Sequence, residues 1–598
     1  MSATAYEFSA VVRVLTRLYG KLSAKRKRQL LFVLLISIFG GFAEVATIGL
    51  IVPFLTVLTA PDLTAHTPVL GQVFEVLGAE NRTDQIFWLT VLFCSVALVA
   101  GLVRIALVWS YQHAVYWIGY DLAGQAYNNV LSQPYRFHLD NNSSTMIAGL
   151  EKVQTAVNWI LMPVVQAITS VIISLFIITA LLLIDPIILI LAALAFASVY
   201  GLINLATRRR LVANSSIIAK AQTDRVKAIQ EGIGGIRDVI IDRAQPQFLS
   251  VFQVVDYGCR KAQVFNSLVA QLPRFAIEAF GMILFGIVAY YFTLQSGGLV
   301  ATLPVLAALA LGAQRLLPLF QAIYQALAQV WSHLDIVIDV LKLLDLKSDN
   351  HAVPDDQSKR LKFDSGIKLK NVDFSYSGSG VPVVETLNLS IKKGERVAFI
   401  GRTGSGKSTI MDLLMGLLSP TGGQISVDGV ELAGEKRAGW QKHIAHVPQA
   451  IFLADATLAE NIAFGIDPAS IDMDRVKRAA EGANIAEFVE GLPTKYQTTV
   501  GERGVRLSGG QRQRIGIARA LYKDADVLVF DEATSALDSE TEASVMQAIE
   551  GLGRSLTIFI IAHRVTTVRF CDRIVRLERG KVVAEGSYEA VVDAPEPA

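Results

Sequence analysis

Residues 401–409 read Gly-Arg-Thr-Gly-Ser-Gly-Lys-Ser-Thr and lie between two apolar runs, Val397–Ile400 before and IMDLLMGLL (410–418) after. A strand, a glycine-rich turn and a helix in that order form a phosphate-binding loop. Its glycines let backbone N–H groups wrap the phosphates, and the helix N-terminus adds a favourable dipole. Gly401, Gly404, Ser405, Gly406 and Thr409 form the cradle. Lys407 is placed to reach the β- and γ-phosphates of a nucleotide, and the Ser408 hydroxyl to ligate Mg²⁺. VLVFDE (527–532) supplies what the loop lacks. Asp531 ends a buried strand, where it can hold Mg²⁺ through water, and Glu532 can polarise an attacking water as general base.

Such a site needs a parallel α/β scaffold, and the sequence from Leu361 onward supplies the pattern of one. Ile367, Leu369, Val372, Phe374 and Tyr376 mark a first strand, and the short runs Val397–Ile400 and Val527–Phe530 suit buried parallel strands. The stretch 346–360, with Pro354-Asp355-Asp356, is a polar linker. These features place an ATPase domain at 361–590, followed by a short tail at 591–598.

The rest of the chain is of another kind. Hydrophobic residues other than glycine make up 52% of the 598 residues, above the ~45–50% of soluble proteins counted with glycine. Six apolar stretches are long enough to span a ~30 Å hydrocarbon core: Leu30–Leu58, Ile86–Tyr111, Ala156–Leu183, Ile187–Ala206, Ala276–Leu294 and Val300–Tyr324. The basic N-terminus (Arg13 to Arg28) and Arg208-Arg209-Arg210 fall on one side, while the opposite connections are acidic or tiny. Positive residues therefore stay inside, with the N-terminus and the ATPase domain cytoplasmic. The apolar stretch after the basic residues is too long for a cleavable signal peptide. A net charge of +2 without a basic run gives no footing for nucleic acid. Cys94, Cys259 and Cys571 match no metal or disulfide spacing.

From Ile86 to Gln133 there is no proline, and a helix of that length extends ~70 Å, more than twice the hydrocarbon core. The stretch Ile187–Gln245 is equally free of proline. Both should project into the cytoplasm, with tips near Phe137–Thr145 and Ala219–Ile229. On the outer side, VLGQVFEVLG (69–78) has the spacing of a short amphipathic surface helix. Arg104, Arg274 and Arg315 fall in or at the mouths of spans, where charges are costly and are functional candidates. They either line a cavity or pair helix to helix with Glu44 and Glu278. Three arginines per chain would make a cavity attractive to an anionic head group.

LSGGQ (507–511) resembles the signature of ABC ATPases, and the other marks of that family follow in order. By this resemblance Tyr376 stacks on adenine, Gln449 contacts Mg²⁺ and water, and SALD (535–538, with Asp538) crosses to a partner domain. His563 contacts the γ-phosphate, and TTVGERG (498–504) couples to membrane helices. Ser508, Gly509, Gly510 and Gln511 open a helix whose N–H groups form an anion site. In the family this site faces the phosphate loop of a second ATPase domain. Glu532, His563 and LSGGQ are all intact, which favours a homodimer over a heterodimer. Six spans and a fused C-terminal ATPase resemble the ABC exporter half-transporter, so 1–345 is read as its membrane α-helical bundle and the tips as coupling helices. AEVATIGLIVPFL (43–55), QPYRFHLDNNSS (133–144), PRFAIEAFG (273–281) and AQRLLPLFQAIY (313–324) resemble bacterial flippases for lipid-linked oligosaccharides of the PglK type. That implies ATP and Mg²⁺ as cofactors, a bacterial inner membrane, and an anionic lipid-linked substrate received by Arg104, Arg274 and Arg315. A general lipid or multidrug exporter is the alternative; a non-transport regulator or gated channel is the alternative of another class.

Overall fold

A computed structural model describes residues 8–59, 81–183, 186–293, 298–347, 360–376, 380–531, 542, 556–562 and 568–592. The expected surface helix at 69–78 lies outside the described residues. The chain divides into two compact units, one of Met1–Leu131 with Asn141–Lys347, the other of Ser132–Asp140 with Ser348–Ala598.

The first unit is helical throughout. α1 (Phe8–Gly20) precedes α2 (Ala24–Thr59) and the 50-residue α3 (Arg82–Leu131). After α4 (Tyr135–Asp140), which belongs to the second unit, α5 (Ser143–Ala156) runs through a π turn, Val157–Leu161, into α6 (Met162–Leu182). Then come α7 (Pro186–Gly234), α8 (Ile236–Ile241), α9 (Gln245–Thr293) and α10 (Gly298–Asp345). Among the described residues, Ala24–Leu55, Arg82–Leu131 and Ser143–Leu182 are long and apolar enough to cross a membrane. The other three expected spans fall on α7, α9 and α10, except that Leu294 lies outside the described residues.

The lengths follow from the sequence. At 1.5 Å per residue α3 is ~75 Å long, because nothing between Arg82 and Leu131 breaks it. Asn142 caps α5 by accepting from Ser144 N at 3.0 Å. The second tip is not where the sequence placed it. Ala219–Ile229 is continuous α-helix, and the break comes at Gly234-Gly235, with α8 after it. A glycine pair costs about 2 kcal/mol of helix propensity and ends the helix, whereas the polar residues of 219–229 do not. α1 also went unread. It buries Val11 and Leu18 and is tied to the end of α10, where Arg17 and Lys21 both reach Asp345. Close helix approaches use small residues: a Cβ on Gly41 of α2 would sit 2.4 Å from Phe176 of α6.

The second unit holds two sheets. One is antiparallel, in the order β2-β1-β4-β5, from β1 (Gly366–Phe374), β2 (Val384–Lys392), β4 (Gly422–Val427) and β5 (Val430–Glu431). The other has the order β10-β9-β3-β8-β7-β6. It is built from β3 (Arg396–Ile400), β6 (Ile444–Val447), β7 (Val527–Asp531), β8 (Thr557–Ile561), β9 (Arg573–Glu578) and β10 (Lys581–Gly586). β3, β6, β7, β8 and β9 are mutually parallel, and only β10 returns antiparallel. The inner strands β3, β7 and β8 are apolar on both faces, as strands covered on both sides must be. Phe399 and Phe559 join the core shared with the antiparallel sheet, while Phe530 and Ile560 point to the opposite one. The carboxyl ends of β3 and β7 carry the phosphate loop and Asp531.

Candidate functional site: a nucleotide cradle and a charged helix cluster

The loop after β3 leads into α11 (Lys407–Leu414). Gly401, Gly404 and Gly406 have φ of 150°, 81° and 98°, backbone that side chains resist. At Gly401 the need is also steric, since a Cβ would lie 2.3 Å from the Leu577 carbonyl. The Lys407 ammonium is buried and folds over the turn, donating to the carbonyls of Gly401 at 2.8 Å and Arg402 at 3.1 Å. Ser405 Oγ is buried with no partner among the described residues, and Ser408 is exposed. A ring of backbone N–H groups with a cation inside it and an unsatisfied hydroxyl suits a polyphosphate.

Asp531 closes β7 opposite Ile561 of β8. Its charge is felt at Asp412 of α11, whose carboxyl is pushed up to about 6, mainly by burial and then by Asp531. Acidic charge is therefore concentrated beside the loop, and with the Ser408 hydroxyl it fits a hard divalent cation. Gln449 is exposed just beyond β6. Tyr376 packs edge-on against Phe374, 5.0 Å between ring centres, and its hydroxyl lies 3.2 Å from Thr409 Oγ1. Glu532, Asp538 and His563 lie outside the described residues. Tyr135 of α4 has its phenol raised by burial, with Asp412 and Tyr376 adding to the effect.

The signature opens α16 (Gly509–Tyr522), the long helix that follows four short ones, α12 (Glu435–Gln441), α13 (Leu458–Ile462), α14 (Met473–Gly482) and α15 (Ala486–Glu490). Ser508 Oγ accepts from Gln511 N at 3.2 Å, and Ser508 N donates to Gln511 Oε1 at 2.8 Å. This reciprocal cap holds the first turn and leaves the N–H groups of Gly509 and Gly510 pointing out along the helix axis.

In the membrane unit all three singled-out arginines are paired. Glu44 of α2, 6% exposed, bonds Arg104 of α3 and lies 3.8 Å from Arg315 of α10. Arg274 pairs along its own helix with Glu278 at 2.8 Å. The cluster of Glu44, Arg104 and Arg315 carries a net charge of +1 (two cations, one anion), while the Arg274 pair is neutral. Sequence reasoning missed a cavity of about 640 Å³ among α5, the π turn, α7, α9 and α10, lined by Trp159, Gln222, Asn266, Gln271, Arg274 and Gln329, among others. Its residues are scattered over four helices, so no local motif announces it.

One phosphate-loop domain on a mostly parallel sheet, joined to overlong membrane helices, defines an ABC exporter fold. A solved bacterial Atm1-family ABC exporter with ATP bound shares it, with a TM-score of 0.77 at 23% identity over 95% of this chain and 97% of that one. Residues 30–311 match the ABC transporter transmembrane region, and residues 384–535 match the ABC transporter ATPase model. The chain belongs to the ABC transporters and joins a transmembrane region to an ATPase domain in one polypeptide. It is 42% identical over 247 residues to an ATP-dependent lipid A-core flippase of Ralstonia nicotianae, covering 41% of this chain and 42% of that protein. It is 45% identical over 223 residues to a β-(1→2)glucan export ATP-binding/permease protein of Rhizobium etli, covering 37% and 38%. The matched stretch thus spans about two fifths of these relatives' length.

Proposed function

We propose that the protein is one subunit of an ATP-driven lipid exporter, which moves an amphiphile with a polar head across a bacterial inner membrane. The observation that carries this reading is the division of labour inside the second unit. The phosphate loop with Lys407, Ser408 and Asp531 makes one half of a nucleotide site, and the capped signature at Ser508–Gln511 makes the complementary half. A second copy of the chain supplies each missing half, so two copies bind two nucleotides. Lys407 exchanges its bonds to Gly401 and Arg402 for phosphate oxygens, and Tyr376 offers its ring to the base. Ser408, Gln449 and Asp531 would hold Mg²⁺, which when bound would supply positive charge against the phosphates. Glu532 takes a proton from the attacking water, and His563 contacts the γ-phosphate. Closure of the two ATPase domains draws the helix tips together and turns the membrane cavity outward.

The relatives named for lipid A-core and for a glucan support a lipid or glycan cargo. A lipid-linked oligosaccharide is the finer reading, supported by the residual positive charge around Glu44, which doubles in a homodimer. Glu532→Gln should retain nucleotide binding and lower ATP hydrolysis at least ~10³-fold, the scale of a lost catalytic group. Hydrolysis at the wild-type rate in that variant would defeat the assignment.

A further inference from the structure

The 640 Å³ cavity in the membrane unit is within the size of small-molecule sites, about 300–1,000 Å³. Three of its buried polar atoms have no partner among the described residues: Gln222 Oε1, Gln329 Oε1 and Asn266 Nδ2. Asn266 is only 8% exposed, and its Oδ1 accepts from Asn214 at 2.7 Å, which fixes the amide with its donor unspent. Native interiors rarely leave such groups unmade, and a cluster around one cavity marks a place where something else completes them.

The cavity also has an aromatic wall. Trp159 sits in the π turn between α5 and α6, a distortion frequent at functional sites. Its ring stacks on His333 at 5.5 Å and 10°. Burial holds the His333 imidazole below its usual range, so it stays neutral. Its Nδ1 lies 3.1 Å from the Gln329 carbonyl and 2.8 Å from Ser332 Oγ, which holds the ring in place.

Charge decides what fits. Both cations on the lining have a carboxylate partner: Arg260 has Asp256 at 3.2 Å, which Arg225 shares at 3.4 Å, and Arg274 has Glu278 at 2.8 Å. An anion would have to compete with both carboxylates. Amides present donors and acceptors together, as hydroxyl groups do, so they match a polyol far better than a phosphate.

We propose that this cavity, centred on Gln222, Asn266 and Gln329 with Trp159 as its wall, binds the uncharged, polyhydroxylated glycosyl part of the transported amphiphile. The proposal rests on the exporter reading above and adds to it the chemistry of the head group. Any phosphate of the same substrate goes elsewhere, to the positive cluster at Glu44.

The test uses the full chain in nanodiscs without nucleotide, titrated with octyl maltotrioside below its micellar concentration and, separately, with octyl phosphate. Tryptophan fluorescence should change saturably with the glycoside, with at least ~10-fold weaker response to the phosphate, and Trp159→Phe should abolish the signal. Gln329→Leu should weaken glycoside binding about 10-fold, the value of one or two hydrogen bonds, without lowering Tm, because the deleted oxygen has no partner among the described residues. Equal affinity for both probes, or an unaltered titration in Gln329→Leu, overturns the proposal. If that variant does not fold, the comparison of the two probes on the wild-type chain decides alone. MgATP hydrolysis by the same preparation separates the two claims. Hydrolysis without glycoside selectivity sinks only the cavity; its absence sinks the exporter reading.

Discussion

Glu44 is the most instructive side chain to perturb, because one buried carboxylate serves two arginines from two other helices. At the 3.8 Å separation from Arg315, an effective dielectric of about 20 gives roughly 4 kcal/mol of attraction. The arginines are 38% and 36% exposed, so solvent screens about half of it. Glu44→Gln also recovers about 1–2 kcal/mol of the carboxylate's desolvation. Summed over both arginines, the net loss is about 2 kcal/mol. For a unit this large that lowers the apparent Tm by about 3 °C, readable by nanoscale fluorimetry in nanodiscs. The decisive comparison is a double-mutant cycle with Arg104→Gln. The double variant should lose about 1–2 kcal/mol less than the sum of the singles, because removing both partners strands no charge. Additive losses, or an unchanged Tm in Glu44→Gln, would refute the idea that this cluster is a mutually dependent ionic unit.

Three further outcomes follow from local geometry. Ser508→Ala deletes one half of the reciprocal cap on α16 and should cost the ATPase unit about 1 kcal/mol, measured by denaturant unfolding; Ser508→Thr should restore most of it. His446 of β6 is held below its usual range by burial, and its Nε2 has no partner among the described residues. The unfolded chain therefore binds this proton at higher pH, so its stabilising contribution is present above about pH 6.5 and is lost as pH falls, by up to ~1.4 kcal/mol per pH unit. His446→Phe should flatten that acid slope, and an unaltered slope would count against it. Burial pushes the Cys571 thiol up to about 12, so maleimide should label it at pH 8 about 10³-fold more slowly than in the urea-unfolded chain.

How far the sequence could be read depends on how local each signal is. The phosphate loop was legible because strand, glycines and helix are consecutive, and the structure adds the reason Gly401 must be glycine. The capping pair at Ser508 and Gln511 is equally local. Helix overreach was legible from the absence of proline between Ile86 and Gln133. The second tip was misplaced because its signal is only the pair Gly234-Gly235. α1 went unread because its apolar face acquires meaning only against α10. Which acid answers which arginine was undecidable from spacing, since Glu44, Arg104 and Arg315 lie on three helices whose rotation is set by packing. The amide-lined cavity is the extreme case, with residues from 155 to 333 brought together by tertiary structure alone.

The central claim is that this chain couples ATP hydrolysis to the movement of an amphiphile between leaflets. Its most direct test is leaflet transfer in proteoliposomes of the purified chain, with a fluorescent polyprenyl-pyrophosphate oligosaccharide and a fluorescent phospholipid as cargoes. The account predicts transfer of the glycosylated lipid that requires MgATP and is lost in Glu532→Gln. ATP hydrolysis accompanied by no transfer of either lipid, or transfer that persists in Glu532→Gln, would contradict it.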